Sequence, residues 1–213
     1  MKCDRHTFSL YAVTDRMWTG RQSLYEQVES ALKGGVTCVQ LREKTLNDGE
    51  FLQEALQIAD LCKNYDVPFL INDNIEIAVK CNADGVHIGQ EDMTLKEART
   101  LLGENKIIGV SVHNVSEALA AVKDGADYLG VGAMFSTSTK TDTAVLSLQT
   151  LKDICKAVNI PVVAIGGINK KNITQLKDSG IDGVALVSAV FGAEDIEKEC
   201  RFLSDIVQEW KSY

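Results

Sequence analysis

The chain has 213 residues, 45% hydrophobic and 24% charged, with a formal net charge of −8 and a pI near 4.9. That length supports one sizeable core within the range of a single α/β barrel, and the long-range field has the wrong sign for a nucleic acid or an acidic membrane surface. No apolar run approaches the ~20 residues of a membrane span, and the opening residues have no apolar leader core. The six cysteines are scattered without a C-x-x-C pair, which favours buried free thiols in the cytoplasm over disulfides or a zinc site.

Short apolar runs recur along the chain, and each reads as a strand. The first, Phe8–Thr14, is followed by helical spacing at Leu24, Val28, Ala31 and Leu32. The second is Val36–Arg42, and Phe51, Ala55, Ile58 and Cys62 mark the helix after it. Phe69–Asn72, Gly85–Ile88 and Ile107–Ser111 are the third to fifth. Val115, Leu119 and Val122 then form a helical face opened by Asn114, with Glu117 three residues on, the spacing of a cap. Tyr128–Val131, Val162–Ile165 and Gly183–Val187 complete the strands. Asn169 is placed to cap a helix holding Ile173 and Leu176, and a last helix runs over about 196–210.

Eight strands alternating with helices in so short a chain predict a (β/α)8 TIM barrel, one catalytic domain over 1–213. A doubly wound open sheet is the alternative, although it usually has fewer strands at this length. Gly34-Gly35-Val36, Ala83-Asp84-Gly85-Val86, Gly125-Ala126-Asp127-Tyr128 and Gly180-Ile181-Asp182-Gly183-Val184 each read as a helix C-cap glycine leading into a strand, architecture without chemistry. Pro68 and Pro161 stand where strands begin, which proline tolerates.

Barrel chemistry stands at the C-terminal ends of strands. Gln40, Arg42 and Lys44 alternate at the end of the second strand, so they share one face, which is costly to bury unless it meets an anion. Asn72 and Asp73 end the third strand; Asp92 follows the fourth; Ser111 ends the fifth. Asp73 and Asp92 offer hard oxygens suited to Mg2+, with a helix cap as the competing role for Asp92. Thr137, Ser138, Thr139 and Lys140 lie on the long loop over 132–145, with three hydroxyls and a cation for a phosphate, or simply a polar surface loop. Gly166 and Gly167, with Val187 and Ser188, fall after the seventh and eighth strands, the usual phosphate site of such barrels; a tight turn is the plain alternative for the glycines. His87 and His113 read as structural, and the tryptophans and tyrosines as packing, except Tyr11, which stands on the first strand where it could line the barrel mouth. Two anion sites at one mouth, one suited to a monophosphate and one to Mg2+–diphosphate, imply group transfer with diphosphate as leaving group.

In their order along the chain, these motifs resemble the thiamine-phosphate synthase family: Leu10-Tyr11-Ala12-Val13-Thr14-Asp15, Val39-Gln40-Leu41-Arg42-Glu43-Lys44, Ile71-Asn72-Asp73, Gly85-Val86-His87-Ile88-Gly89-Gln90-Glu91-Asp92, Gly109-Val110-Ser111, Ser138-Thr139-Lys140, Ala164-Ile165-Gly166-Gly167-Ile168 and Val187-Ser188. The resemblance implies a condensation of an aminopyrimidine diphosphate with a thiazole phosphate. It assigns Gln40 to the aminopyrimidine, and Arg42, Lys44, Asn72, Ser111 and Lys140 to the diphosphate or pyrimidine side, within a substrate-binding stretch that also includes Leu41 and Glu43. It assigns Asp73 and Asp92 to Mg2+, and Thr137, Ser138, Thr139, Gly167, Val187 and Ser188 to the thiazole phosphate. Arg42, Lys44, Ser111 and Lys140 are the expected catalytic residues. The sequence departs from the family's usual Gly-Pro at Gly132-Ala133 and from its usual glycine at Ser147. A thiazole tautomerase of the same barrel type, using His113, and a non-catalytic thiamine-phosphate-binding barrel are the rival readings. The implied partners are small phosphorylated molecules; homo-oligomer formation is compatible with the sequence.

Overall fold

The computed structural model describes residues 3–137 and 144–211. Eight parallel strands close into a barrel in sequence order: β1 Leu10–Val13, β2 Cys38–Leu41, β3 Phe69–Asn72, β4 Gly85–Ile88, β5 Ile107–Val112, β6 Tyr128–Val131, β7 Val162–Ile165 and β8 Gly183–Leu186. β8 pairs with β1 through Leu10 opposite Val184, which closes the ring and rules out the open sheet. The helices are α1 Leu24–Lys33, α2 Asp48–Asn64, α3 Ile75–Lys80, α4 Leu95–Leu102, α5 Val115–Asp124, α6 Leu148–Ala157, α7 Ser188–Phe191 and α8 Ile196–Lys211.

Strand alternation sorts the apolar residues into two cores. Phe8, Tyr11, Cys38, Leu70, Tyr128 and Val163 point into the barrel. Val39, Leu41, Ile71, Val86 and Leu129 point outward against the helices, with Val28, Ile58, Ala98 and Leu151 facing them. Each such buried side chain contributes roughly 1.5–3 kcal/mol relative to exposure. All six cysteines carry free thiols, four of them buried.

Helix starts follow local chemistry. Ser23 with Glu26 and Thr94 with Glu97 form reciprocal capping boxes for α1 and α4. Asn114 accepts the Glu117 N–H and caps α5, as its spacing predicts. Ser147 caps α6 by accepting the Thr150 N–H at 3.0 Å, which gives this departure from the family pattern a structural role. The helix expected after Asn169 is instead a 3-10 turn at Ile173–Leu176, whose N-cap residue is Asn172, with no side-chain capping bond. Asn172 Oδ1 accepts the Asn169 N–H, and the Asn172 amide donates to the Gly167 carbonyl, so these side chains hold the loop rather than start a helix.

At the N-terminal rim, one device recurs four times. The residue just before each even-numbered strand clamps the backbone of the preceding odd one. Asp84 Oδ2 accepts the Phe69 N–H at 2.8 Å while its own N–H donates to the Phe69 carbonyl. Asp127 does the same to Ile108 and Asp182 to Val162. Thr37 Oγ1 and N–H serve Leu10 in the same way. The repeated Asp phrase in the sequence is therefore architecture, and its carboxylate is what carries it.

Candidate active site

Opposite the clamped rim, the strand ends gather polar groups. Gln40 points into the barrel from β2 and is only 3% exposed. Its Nε2 donates to Tyr11 Oη at 2.5 Å. Arg42 stands one residue past the end of β2; its guanidinium pairs with Asp15 at 3.2 Å, and its N–H donates to the buried Thr14 hydroxyl. Asp15 follows β1 by the same strand-end rule that selected the other residues; it is the partner that inspection of the later strands missed.

Lys44 is not on the strand, because β2 ends at Leu41. Glu43 causes the departure. Its Oε1 accepts N–H groups from Lys44, Thr45 and Leu46, curling the chain into a turn. Arg16 holds the other oxygen at 2.6 Å and also grips Glu54. Burial alone would raise the Glu43 pKa, but the Thr45 N–H, Arg16 and the further donors overcome it and hold the carboxyl at about 2. Glu43 is thus committed to shaping the loop. Leu41 faces the helix layer, so any contact it makes in the site comes from its backbone.

The turn delivers Lys44 Nζ to Asp73 Oδ2 at 2.7 Å. Lys44 is exposed and Asp73 partly so, so this ion pair contributes less than ~1 kcal/mol and is readily exchanged for another. Asp73 has a left-handed backbone, φ +61°, directly after β3, and its N–H donates to the His87 carbonyl of β4. Asp92 does not cap α4; Thr94 does. Asp92 Oδ2 instead accepts the Gly89 N–H at 2.7 Å, folding its carboxylate back to the end of β4. The two acids therefore stand on neighbouring strand ends. A cleft of about 590 Å3 opens beside Asp73, lined by Lys44, Asn72, Asp73 and Met93 among others.

His87 and Ser111 lie on β4 and β5, with His87 Nε2 2.9 Å from Ser111 Oγ and His87 Nδ1 2.7 Å from Tyr128 Oη. Gln90 donates to the Ser111 carbonyl. His113, by contrast, lies between β5 and α5 and is bound to Glu117 of α5 through both its ring and its N–H.

On the far side, Gly166 and Gly167 both take positive φ. A Cβ on Gly166 would lie 2.6 Å from Ala133 Cα, and one on Gly167 would lie 2.7 Å from the Phe135 carbonyl oxygen. The glycines are thus required by the close passage of the β6 loop, a constraint beyond a bare turn. Val187 and Ser188 follow β8 beside them, with Ser188 exposed at the start of α7. Thr137 is half-buried on the β6 loop; Ser138, Thr139 and Lys140 lie outside the described residues. Sequence inspection passed over Tyr128 as packing, although a tyrosine at the first position of a barrel strand can face inward.

Comparison with known proteins agrees with this arrangement. A family model described as thiamine monophosphate synthase matches residues 10–190. The thiamine-phosphate synthase of Clostridium acetobutylicum is 49% identical over 202 residues, covering 95% of this chain and 96% of that protein. Its counterpart in Chloroflexus aurantiacus is 47% identical, covering 93% and 92%. The solved thiamine phosphate pyrophosphorylase of Pyrococcus furiosus superposes with a TM-score of 0.90 at 42% identity, over 97% of this chain and 98% of that one. With a closed barrel, a polar rim in the expected order and relatives of nearly the same length, the chain belongs to the thiamine monophosphate synthase family.

Proposed function

We propose that this chain joins 4-amino-2-methyl-5-hydroxymethylpyrimidine diphosphate to a thiazole phosphate or its carboxylate, giving thiamine phosphate and diphosphate. It is a transferase of thiamine biosynthesis, working as one catalytic domain in the cytoplasm. The observation that carries this reading is the convergence of Gln40, Arg42, Lys44, Asp73 and Ser111 on one rim, in a chain so similar to named synthases.

The chemistry follows from the substrate. An electron-rich aminopyrimidine stabilises a methylene cation, so the C–O bond to diphosphate breaks first and the thiazole nitrogen then attacks. The protein has to stabilise the departing anion and hold the nucleophile in line. Arg42 and Lys44 supply charge to the diphosphate, with Lys140 joining them from the loop and Asn72 and Ser111 donating hydrogen bonds. Gln40 orients the base. Thr137, Ser138, Thr139, Gly167, Val187 and Ser188 receive the thiazole phosphate. No general base is needed, which suits a site whose two histidines are engaged within the protein.

Asp73 and Asp92 would hold Mg2+. The donor set fits in kind: two hard carboxylates follow adjacent strands, Asp73 in an exchangeable pair with Lys44 and Asp92 folded back to the end of β4. Mg2+ takes one or two carboxylates and fills its shell with water and phosphate oxygens. When bound, it neutralises charge on the diphosphate. Supplying both substrates with Mg2+ should give thiamine phosphate, detected by chromatography, and chelation should abolish it. Absence of product with both substrates, alongside isomerisation of the thiazole carboxylate alone, would overturn the reading.

A further inference from the structure

Past the end of β1, the chain meets the end of β2 residue by residue. The Thr14 N–H donates to the Gln40 carbonyl at 2.9 Å, and Thr14 Oγ1 accepts the Arg42 N–H at 3.0 Å. Asp15 pairs with Arg42, and Arg16 Nε donates to Glu43 Oε2 at 2.6 Å. These last two contacts are crossed ion pairs: acid then base after β1, base then acid after β2. Arg16 also reaches outward, its Nη2 donating to both oxygens of Glu54 on α2 at 2.8 and 2.7 Å.

The links made by Arg16 and Glu43 run in one direction only, because a guanidinium donates and an ionised carboxylate accepts. Arg16 is itself fixed from behind. It opens a 3-10 turn, Arg16–Trp18, capped by Asp15, which accepts the Met17 N–H at 2.9 Å. The Thr19 hydroxyl closes the turn on the Arg16 carbonyl, also at 2.9 Å.

Arg42 and Lys44 depend on this arrangement differently. Arg42 is held by Thr14 and Asp15, and neither contact passes through Arg16. Lys44 comes after the strand has ended, and its backbone is placed by Glu43. Glu43 Oε1 accepts the N–H groups of Lys44, Thr45 and Leu46 and the Thr45 hydroxyl. The Glu43 side chain is enclosed, and Arg16 is the cation paired with it. Without that cation an enclosed carboxylate must take up a proton or swing toward water. Either response weakens its grip on the three N–H groups.

We propose that Arg16 is a positioning residue for the transfer: by neutralising Glu43 and bracing it against Glu54, it sets the turn that presents Lys44 to the leaving diphosphate. Arg16 acts without touching substrate, since its Nε and Nη2 are taken by the two carboxylates. The proposal rests on the reading that Lys44 serves the diphosphate, and its test separates the two claims.

The test is a pair of double-mutant cycles on kcat/KM for the pyrimidine diphosphate, with Mg2+ and saturating thiazole phosphate. Arg16→Gln is made in the wild type, in Lys44→Ala and in Arg42→Ala. We expect it to cost about tenfold or more in the wild type, because a displaced catalytic group loses that much. The same loss should recur in Arg42→Ala. In Lys44→Ala the further loss should stay within about twofold, because Arg16 then has nothing left to position. The KM for thiazole phosphate, held at the opposite side of the mouth, should stay within about twofold throughout. A loss of equal size in all three backgrounds, or a matching rise in the thiazole KM, would mean that Arg16 only supports the fold, and full activity in Arg16→Gln would remove it from the transfer; each overturns the proposal. Unchanged turnover in Lys44→Ala would instead overturn the assignment of Lys44 to the diphosphate, and the proposal with it. Should Arg16→Gln fail to fold, Glu54→Gln, which removes the brace and keeps the Glu43 pair, decides by the same cycles.

Discussion

Two carboxylates, Glu43 after β2 and Asp73 after β3, look alike in sequence and behave differently. Asp73 is solvated and paired with a lysine that can leave it; Glu43 is enclosed, with its side chain 3% exposed and five hydrogen bonds or ion-pair contacts on its oxygens. The first has the exchangeability a binding site needs, and the second has the rigidity a loop needs. Glu43 therefore makes stability depend on acid. Its folded pKa of about 2 lies below the ordinary 4.5, so its contribution is complete above pH 4.5 and is lost as pH falls toward 2. Glu43→Gln should lower the melting temperature at neutral pH and flatten that part of the pH–stability profile, read by thermal denaturation. Arg42→Ala and Lys44→Ala should each lower kcat/KM by about 10²-fold, the usual loss for one charged group aimed at a departing anion. Neither should shift the melting temperature by more than a degree or two, because both pairs are partly solvated. Unchanged turnover in Arg42→Ala would remove it from the diphosphate site.

At the scale of elements, the strands were legible because the period of apolar runs is strong and their flanking glycines and prolines mark where they begin. Each observed strand overlaps its expected run, most differing by two residues or fewer at either end. Three features were not legible. The common face of Gln40, Arg42 and Lys44 assumes a strand that continues to residue 44, and the Glu43 turn, built from side-chain contacts with Arg16 across the rim, ends it earlier. The short turn at Ile173–Leu176 replaces a helix because asparagine side chains satisfy the backbone groups of the loop. The inward position of Tyr128 depends on the space that Gly109 leaves on neighbouring β5, which spacing along one strand does not reveal. Ser147 gives an element-scale test. Ser147→Ala should cost about 1 kcal/mol and Ser147→Gly only a few tenths, read by denaturant unfolding, since glycine is tolerated at a cap where alanine is not.

For the whole molecule, stability and chemistry occupy opposite rims. Arg99 belongs to the first. It spans the carbonyls of Gly103, Lys106 and Gly125 and pairs with Asp127, with about an eighth of each side chain exposed. Asp127→Ala removes that partner together with the clamp on Ile108, and should cost about 2–4 kcal/mol while leaving kcat at the distant rim within twofold. A loss of turnover matching the loss of stability would show that the rims are coupled.

The four clamps also bear on how the ring assembles. Each joins residues 15 to 27 apart in the chain, so each two-strand unit closes a short loop and gains its rim bonds early. The contact between Leu10 and Val184 spans nearly the whole chain and gains nothing until both ends are in place. Because distant pairings form slowly and near ones quickly, the expected order is two-strand units first and the closure of β8 on β1 last, which pulsed hydrogen exchange during refolding would read as early protection at the clamped pairs and late protection at Leu10 and Val184.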